Sequence, residues 1–468
     1  MSYAEHNNRR LEQFIVLLFI AAPPVGGLVL LYQVLQDNAR FLATIGWLAY
    51  LVAIVGAHIK WVRPYFRRFP IVTGYKELFT RTKMILPRHR SLVNKAVRTR
   101  ILRSIYRWAV FFAIIPFFVG MYNLYGHHFV WFMGMWLLAG MGITVGYHRT
   151  GTHPSYKTNQ VVRGVVLAMG SCAMQGPAGE WMKKHTKHHA FGETSVDVHS
   201  PYVFEDSKRA IWWEQFMGFM HSFVMWAFRE PSLRKPMNMT MEEWRAHMLA
   251  HPPKLEDFRF REEDRGHWEV RNPAGEVIVT TDTILKKRWA GFVNDIVEIE
   301  KDKTVALISH PVVYLTILGL SFYIPYALGG ISVWESLTRL LFMNWSTFCV
   351  NSVCHLWGEK PFDTPDNARN NAVIEILAWG EGGHNTHHNA ALWAKHGVFG
   401  WQFDPSYWFI RGLKSVGLAK DLNMPTNLQL LRAWREWRKR EPWMQGYPVR
   451  PKHIIGELPS NPPKAKVS

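Results

Sequence analysis

Nine of the 22 histidines in this 468-residue chain are concentrated in four short stretches. Three stretches read HRTGTH (148–153), HTKHH (185–189) and HNTHH (384–388), and His355 ends the stretch NSVCH. Imidazole is a good ligand for iron, copper and zinc. Nine imidazoles exceed what one ion accepts, so the sequence predicts a site for two metal ions.

The spacing within each stretch predicts how its side chains are presented. On an α-helix, residues three and four apart share a face, so each HxxHH stretch presents three imidazoles together. The interval of five from His148 to His153 leaves about 140° between two side chains of an α-helix. We therefore expect the helix to end or unwind near Gly151, and the following Pro154 supports this.

The composition indicates what kind of elements position these histidines. The chain is 48% apolar, 14% aromatic and 19% charged, and its long apolar runs alternate with basic stretches. This alternation is typical of a multi-pass membrane protein and excludes a disordered tail or a fibrous repeat. The three cysteines, Cys172, Cys349 and Cys354, lack paired spacing, which argues against a disulfide framework or a cysteine zinc site.

Six apolar segments are long enough to cross about 30 Å of hydrocarbon. The N-terminus shows no small-residue cleavage site, so we interpret the first segment as a retained helix rather than a signal peptide. This segment contains Pro23-Pro24 and Gly26-Gly27, which leaves a kinked or re-entrant segment as the alternative. The segments lie at 11–33, 41–59, 108–124, 129–147, 311–328 and 332–350.

The net charge of +19 is concentrated in one loop. Residues 60–107 hold 14 Lys or Arg residues and a single acid, Glu77, whereas the short connections between other segments are almost uncharged. By the positive-inside rule this loop is cytoplasmic, and both termini and all the histidine stretches lie on the same side. No nucleic-acid-binding module accompanies the charge, so nucleic acid is not an expected partner.

The segments outside the spans have their own patterns. The apolar, Trp-rich stretch Ile211–Phe228 is interrupted by polar residues, which favours an interfacial helix over a seventh span. Residues 232–290 form a polar insert, in which Trp268–Thr281 alternates around a Pro/Gly turn and predicts a β-hairpin. Pro451–Ser468 is Pro/Lys-rich and predicts a disordered tail.

When the residues that flank the histidine stretches are included, the chain resembles the integral-membrane fatty acyl desaturases of the stearoyl-CoA (delta-9) type. These enzymes carry three histidine boxes. Alkane hydroxylases and sterol oxidases also have three boxes, but with other spacings and flanking residues. The resemblance covers roughly residues 105–425. It is carried by GYHRTGTHPSY (146–156), EWMKKHTKHHAFGETSVDVHSP (180–201), VNSVCHLWGEKPFD (350–363), GEGGHNTHHNA (380–390) and WQFDPSYWFIRGLKSVGLAKD (401–421).

This resemblance implies an all-α integral membrane protein, with four core transmembrane helices and a helical cytoplasmic cap. It makes 105–425 the desaturase domain. Residues 1–104 are then an additional apolar hairpin with the basic loop, and 426–468 a basic helix and tail. The expected location is the inner or plasma membrane of a bacterium, or the endoplasmic reticulum of a eukaryote.

The resemblance also implies a non-haem centre of two Fe ions in the cap. Asn351 matches the residue that reaches one metal through water, and Gln175 and Trp181 match residues lining a narrow, bent acyl tunnel. The implied ligands are His148, His153, His185, His188, His189, His355, His384, His387 and His388.

Two further groups of residues have weaker assignments. Asp197, His199 and Glu381 match positions that would orient the imidazoles by hydrogen bonds, with packing or helix capping as the alternative. Lys183, Lys184 and Lys187 could contact a CoA phosphate or lipid head group, with ordinary cytoplasmic charge as the alternative.

The implied activity is a dioxygen-dependent desaturation that introduces a cis double bond, at delta-9, into a fatty acyl-CoA or acyl-lipid. No HPGG-type haem motif occurs, so electrons would come from a separate ferredoxin, rubredoxin or cytochrome with a reductase. A hydroxylase or other lipid oxygenase on the same scaffold is the alternative. A non-enzymatic metal-binding membrane protein, such as a metal transporter, is a remote alternative. A transporter would place its ligands near the membrane midplane, whereas these histidines lie beyond the ends of the predicted spans.

Overall fold

A computed structural model of the chain describes residues 126–203, 212–229, 235–236, 238–258, 268–398 and 402–440, with scattered positions between 22 and 53. The predicted segment 108–124, the basic loop 60–107 and the tail Pro451–Ser468 lie outside the described residues. Of the predicted segment 11–33, residues 22–29 are described and are helical. The domain boundaries stay predictions.

The described part of the chain is helical, as expected, and its only sheets are two antiparallel pairs of very short strands. β1 (Lys157–Thr158) pairs with β4 (Ala419–Lys420), and β2 (Val270–Arg271) pairs with β3 (Val277–Val279). The α-helices are α1 (Phe129–Met141), α2 (Gln160–Ser171), α3 (Ala178–Phe191), α4 (Trp212–Met220), α5 (Trp226–Arg229), α6 (Met241–Ala250), α7 (Thr281–Lys301), α8 (Lys303–Ser309), α9 (Pro311–Gly329), α10 (Val333–Leu356), α11 (Ala372–Leu377), α12 (His384–Asn389), α13 (Pro405–Ser415) and α14 (Asn427–Arg440).

Two helical stretches among the described residues are long and apolar enough to cross a membrane, Phe129–Thr152 and α9. They coincide with the predicted segments 129–147 and 311–328. The last predicted segment is helical as α10, which starts at a capping box between Ser332 and Glu335. Polar residues such as Arg339 reduce the hydropathy of α10, so its crossing, and the count of four spans, stay predictions.

The first histidine stretch lies on a π-helix, Gly142–Thr152, that continues directly from α1. The backbone N–H of His153 donates to the carbonyl of His148 at 2.9 Å, which is a five-residue hydrogen bond. The hydroxyls of Thr150 and Thr152 also donate to carbonyls five residues earlier. The helix ends where expected, but the two imidazoles do not diverge by 140°, and their ring centroids are 5.2 Å apart.

The π-helix packs so closely on α2 that glycine is required at the contact. A Cβ at Gly146 would overlap the backbone carbonyl of Val166. We expect Gly146→Ala to lower stability by about 1–3 kcal/mol, because backbone atoms cannot rotate away as a side chain can. The thermal unfolding of the detergent-solubilised protein measures this effect.

Gly134→Ala in α1 is the matched control, since a Cβ there meets nothing within 4 Å. This substitution should leave the melting temperature unchanged or slightly raised, because alanine favours a helix over glycine. Equal melting temperatures for the two variants would contradict the close contact.

The described residues of the polar insert 232–290 include the predicted hairpin, β2 and β3. Its aromatic side chains Trp244, Phe258 and Trp268 share a buried core with Phe191 of α3 and Phe292 of α7. The insert therefore packs directly on the helix that carries the second histidine stretch.

The predicted helix between Ile211 and Phe228 is present as α4, a short π-helix and α5. Trp213 and Phe216 on α4 are exposed, which suits a helix lying on a bilayer. Its placement at a membrane surface stays a prediction. The basic helix expected after residue 425 is present as α14.

Candidate metal centre

The fold brings eight of the nine histidines into two adjoining groups, and the ninth, His189, lies between them. Within each group, one nitrogen of every histidine lies within 4.8 Å of the others. His189 forms a further set with one member of each group. The first group is His148, His153, His185 and His387, and the second group is His188, His355, His384 and His388.

Four helical elements supply these histidines. The π-helix carries His148 and ends just before His153, α3 carries the HTKHH stretch, α10 carries His355 and α12 carries the HNTHH stretch. The turn into α12 contains Gly380 at a φ of 100°, where a Cβ would also overlap Asp404. Glycine is needed there because the chain turns in a conformation that other residues rarely adopt.

The distances between the ring nitrogens fit metal coordination. The Nε2 atoms of His148 and His387 are 3.0 Å apart, those of His189 and His387 2.8 Å, and those of His355 and His384 2.9 Å. Two nitrogens bound at right angles about 2.1 Å from one ion would be about 3.0 Å apart. The ring nitrogens therefore lie at the separations expected for nitrogens that bind one metal ion.

The charge state of the rings also fits metal binding. Burial lowers the pKa of His185, His189, His384 and His387, and the neighbouring imidazoles lower it further. These rings are neutral at pH 7 and carry a free lone pair. Neutral imidazole suits iron, zinc and copper, so the residues present fit a transition-metal centre.

Two of the three expected orienting residues contact a ring of the cluster through a carboxylate. Asp197 lies 2.8 Å from His188 Nδ1, and Glu381 lies 2.8 Å from His148 Nδ1. The ring centroid of His199 lies 4.2 Å from that of His188, and its backbone N–H donates to Asp197. His199 thus packs beside the cluster rather than holding a ligand nitrogen.

Sequence reasoning missed two more carboxylates of this kind. Glu193 lies 2.8 Å from His355 Nδ1, and Asp366 lies 2.7 Å from His388 Nδ1. Glu193 comes four residues after the HTKHH stretch and Asp366 follows the matched PFD segment. The sequence signal that could have identified these two carboxylates is an acidic residue that follows a histidine-containing motif.

These carboxylates fix the tautomer of the rings. Burial alone would raise the pKa of Asp197 and Asp366, but the neighbouring histidines hold it well below its usual range. An ionised carboxylate can only accept, so Nδ1 carries the proton and Nε2 keeps its lone pair for a metal.

Arg149, next to the first ligand position, was also missed. It is fully buried, and its Nη2 donates to Glu381 at 2.9 Å while its Nη1 donates to Asp404 at 2.9 Å. A further buried ring, His396, has its Nδ1 3.3 Å from Glu381. Arg149 therefore fixes the carboxylate that in turn orients His148.

The two predicted tunnel residues lie beside the first group. The ring of Trp181 stacks on His185 at a centroid distance of 5.1 Å, and its Nε1 donates to Gln175 at 3.2 Å. Gln175 Nε2 donates in turn to Thr347 at 2.7 Å and to Asn344 at 3.1 Å. This chain of hydrogen bonds links α3 to α10 next to the cluster.

Asn351 and two of the three lysines lie on the helices that carry the cluster. Asn351 is half-buried on α10, one turn before His355. Lys184 places its Nζ 5.5 Å from the centroid of Trp226, and Lys187 is half-buried on α3.

Lys183 differs from these two lysines because it is buried. Its Nζ lies 2.7 Å from Glu180 and 2.6 Å from Glu300. Its charge is compensated inside the protein, so its location does not favour contact with a head group.

A cavity of about 720 Å³ adjoins the cluster. It reaches His153, His189 and His388, the three ligand candidates that are only half-buried. The wall opposite these rings includes Phe292 and Asp295 of α7, which begins in the insert. This cavity gives the cluster a route to solvent that does not involve Trp181.

The chain has clear relatives among curated proteins. No protein-family model matches it. An icosanoyl-CoA 5-desaturase from Limnanthes douglasii is 29% identical over 294 residues, which are 62% of this chain and 63% of that protein. The chain thus spans less than two thirds of that relative.

Two other relatives match the same share of the chain. An sn-1 stearoyl-lipid 9-desaturase from Synechocystis sp. is 26% identical over 292 residues, which are 62% of this chain and 69% of that protein. A hex-5-enoyl-[acyl-carrier protein] acetylenase from Moorena producens is 28% identical over 305 residues, which are 63% of this chain and 76% of that protein. The chain is therefore similar to fatty acid desaturases and to one acetylenase.

The two histidine groups give this chain residues that could bind metal ions. Because the rings of these histidines are buried, the stability of the folded protein should depend on pH. The unfolded chain has histidine pKa values near 6.5, whereas burial lowers those of His185, His189, His384 and His387. Below about pH 6.5 the unfolded state binds more protons, so the metal-free protein should lose stability as the pH falls.

We expect the melting temperature of the metal-free protein to fall progressively between pH 7 and pH 5. Asp197 and Asp366 stay ionised across this window, because their pKa values are held low, and so they do not contribute to the change. Burial lowers the pKa of His355, but Glu193, Asp366 and Asp197 together raise it above its usual value, so His355 opposes the trend. A melting temperature independent of pH would contradict the neutral cluster.

Proposed function

We propose that the chain is a membrane acyl desaturase that introduces a cis double bond into a long-chain fatty acyl substrate. The observation that carries the proposal is the convergence of nine histidines, in two groups of four bridged by His189, next to the pair Gln175 and Trp181. We take position 9 as the site of the double bond, on the resemblance to delta-9 enzymes.

The metal at this site is proposed to be a pair of non-haem iron ions held by the nine histidines, with Asn351 reaching one of them through water. Removing hydrogen from an unactivated methylene is beyond any side-chain acid or base, and bound iron supplies that oxidative chemistry together with dioxygen. The reaction takes two hydrogens from the substrate and reduces dioxygen to two waters, using two further protons and two external electrons.

The chain's own residues supply geometry and exclusion of water. The carboxylates Asp197, Glu193, Asp366 and Glu381 hold the Nδ1–H groups, so that each Nε2 faces the metal. Six of the nine histidines are buried, and the side chain of His388 is only 3% exposed, which keeps bulk water from most of the centre. The cavity beside His189 is proposed as the route for water and dioxygen.

The acyl chain is proposed to pass between Trp181 and α10. The Trp181 ring covers His185, and the bond from Gln175 to Thr347 holds α10 against the start of α3. An acyl chain bent at this point would present its neighbouring methylenes to the first group. The distance from the head group to this bend would then select the carbon that reacts.

We further propose four core spans with an additional N-terminal pair, with both termini and the histidine cluster in the cytoplasm. Phe129–Thr152 and α9 support two of the spans. The substrate would be an acyl-CoA or an acyl-lipid, with Lys184 and Lys187 as candidates for a head-group contact. Electrons would come from a separate ferredoxin, rubredoxin or cytochrome.

A hydroxylase or acetylenase shares this site and is the second candidate. One relative is named as an acetylenase, and the same ligands serve both reactions. The products separate these candidates: a monoene, an acetylenic bond or a hydroxyl group on the acyl chain.

The test is expression in a desaturase-deficient host that also supplies an electron donor, with double bonds mapped by mass spectrometry. We expect a new cis-monoene that disappears in a His188→Ala variant. A hydroxylated or acetylenic product would replace the desaturase with the second candidate. No product from an inserted, iron-loaded protein with a working donor would overturn the proposal.

Trp181 should influence which carbon reacts. We expect Trp181→Ala to shift the double-bond position or chain length of the product and to lower the rate by roughly 10-fold or more, because small misplacements of a substrate are costly. Trp345→Ala on α10 is the control, since that ring is 51% exposed. An unchanged product profile in Trp181→Ala would remove this residue from the acyl path.

A further inference from the structure

The two histidine groups differ in the number of carboxylates that contact their rings. In the second group, three of the four rings contact a carboxylate through Nδ1. The side chains of these carboxylates, Asp197, Glu193 and Asp366, are 0%, 2% and 14% exposed. Water therefore screens their charge only weakly.

The first group has one such carboxylate, Glu381, which contacts His148. The other oxygen of Glu381 accepts from Arg149, and Arg149 also pairs with Asp404. This assembly of one cation and two anions has a net charge of only −1. In the described part of the chain, Nδ1 of His387 has no hydrogen-bond partner.

Cations near the second group do not remove the difference. Lys360 bonds to the backbone carbonyl of Asp366 rather than to its carboxylate. The guanidinium of Arg288 lies 4.4 Å from the ring centroid of Trp268 and donates to the carbonyl of Ala190. Neither cation therefore forms an ion pair with the three carboxylates.

We infer that the two metal positions are unequal, and that the second group binds its ion more tightly and fills first. A carboxylate that accepts Nδ1–H raises the basicity of the ring and attracts the bound cation, and losing one such partner costs about 10–100-fold in metal affinity. Two additional partners should therefore separate the affinities by at least about 10-fold. The inference rests on the proposed function only for the presence of two ions.

The test is a titration of the metal-free, full-length protein in detergent with Co²⁺, followed by visible absorption and calorimetry. We expect two binding steps with affinities at least about 10-fold apart. His384→Ala, which alters the second group, should remove the tight step. His153→Ala, which alters the first group, should remove the weak step.

The charge explanation has its own matched pair of variants. Asp366→Asn keeps the shape of the side chain and should weaken the tight step by about 10–100-fold, while Glu381→Gln should act on the weak step. Glu193→Gln provides a second variant of the tight position if Asp366→Asn does not fold.

Equal steps in the unmodified protein, a reversed assignment, an effect of Asp366→Asn on the weak step, or no cobalt binding would each overturn the inference. The titration uses neither substrate nor electron donor. Absence of a desaturated product therefore speaks against the proposed function alone, and equal cobalt steps speak against the inequality alone.

Discussion

Replacement of His384 by alanine should abolish the formation of unsaturated product while the protein still folds and inserts into the membrane. His384 is buried in the second group, and its Nε2 lies 2.9 Å from that of His355. Losing a ligand should cost more than losing an outer partner of a ligand, so we expect activity to fall by more than about 100-fold. Product analysis in the expressing host and iron content per chain measure the two effects.

The control for this variant is His247→Ala. His247 lies on the exposed surface of α6 in the insert, away from both histidine groups. This variant should keep full activity and iron content. Activity near the unmodified level in His384→Ala would show that His384 is not a ligand that the reaction requires.

Replacement of Arg149 by methionine should be the most destabilising single change near the site. It leaves Glu381 and Asp404 buried without their cation, and breaking a buried ion pair from one side costs about 3–5 kcal/mol. The melting temperature in detergent and the yield of inserted protein should both fall sharply. Arg149→Lys should recover only part of the loss, because a single ammonium cannot bridge two carboxylates as a guanidinium does.

Arg163→Met provides the comparison for a more exposed pair. Arg163 lies 2.6 Å from Asp302, with the two side chains 18% and 25% exposed, so we expect a loss near 1 kcal/mol. If Arg149→Met and Arg163→Met lowered the melting temperature equally, the buried network around Glu381 would not have the importance that its burial implies.

Local periodicity was enough to predict most of the elements that carry the site. The HxxHH spacing predicted the helices α3 and α12, and turn residues predicted the hairpin within Trp268–Thr281. The apolar runs predicted α9 and the stretch from Phe129. These features depend on neighbours within a few residues, so they can be inferred from the sequence alone.

Features that depend on distant contacts could not be predicted in this way. Asp366 reaches His388 across 22 residues, Glu193 reaches His355 across 162, and Arg149 reaches Asp404 across 255. Many acids and bases in the chain could have formed such pairs. Only the packing of the helices selects the ones that do.

The π-helix at Gly142–Thr152 makes the first histidine stretch equivalent to the other two. A π turn contains about one residue more than an α turn, so an interval of five in one corresponds to an interval of four in the other. All three boxes therefore supply ligands that are one helical turn apart, in spite of their different letter patterns. Deleting one residue between His148 and His153 would leave an interval of four, which places both rings on one face of an α-helix, whereas the same deletion between His185 and His188 would leave an interval of two, which places those rings on opposite faces.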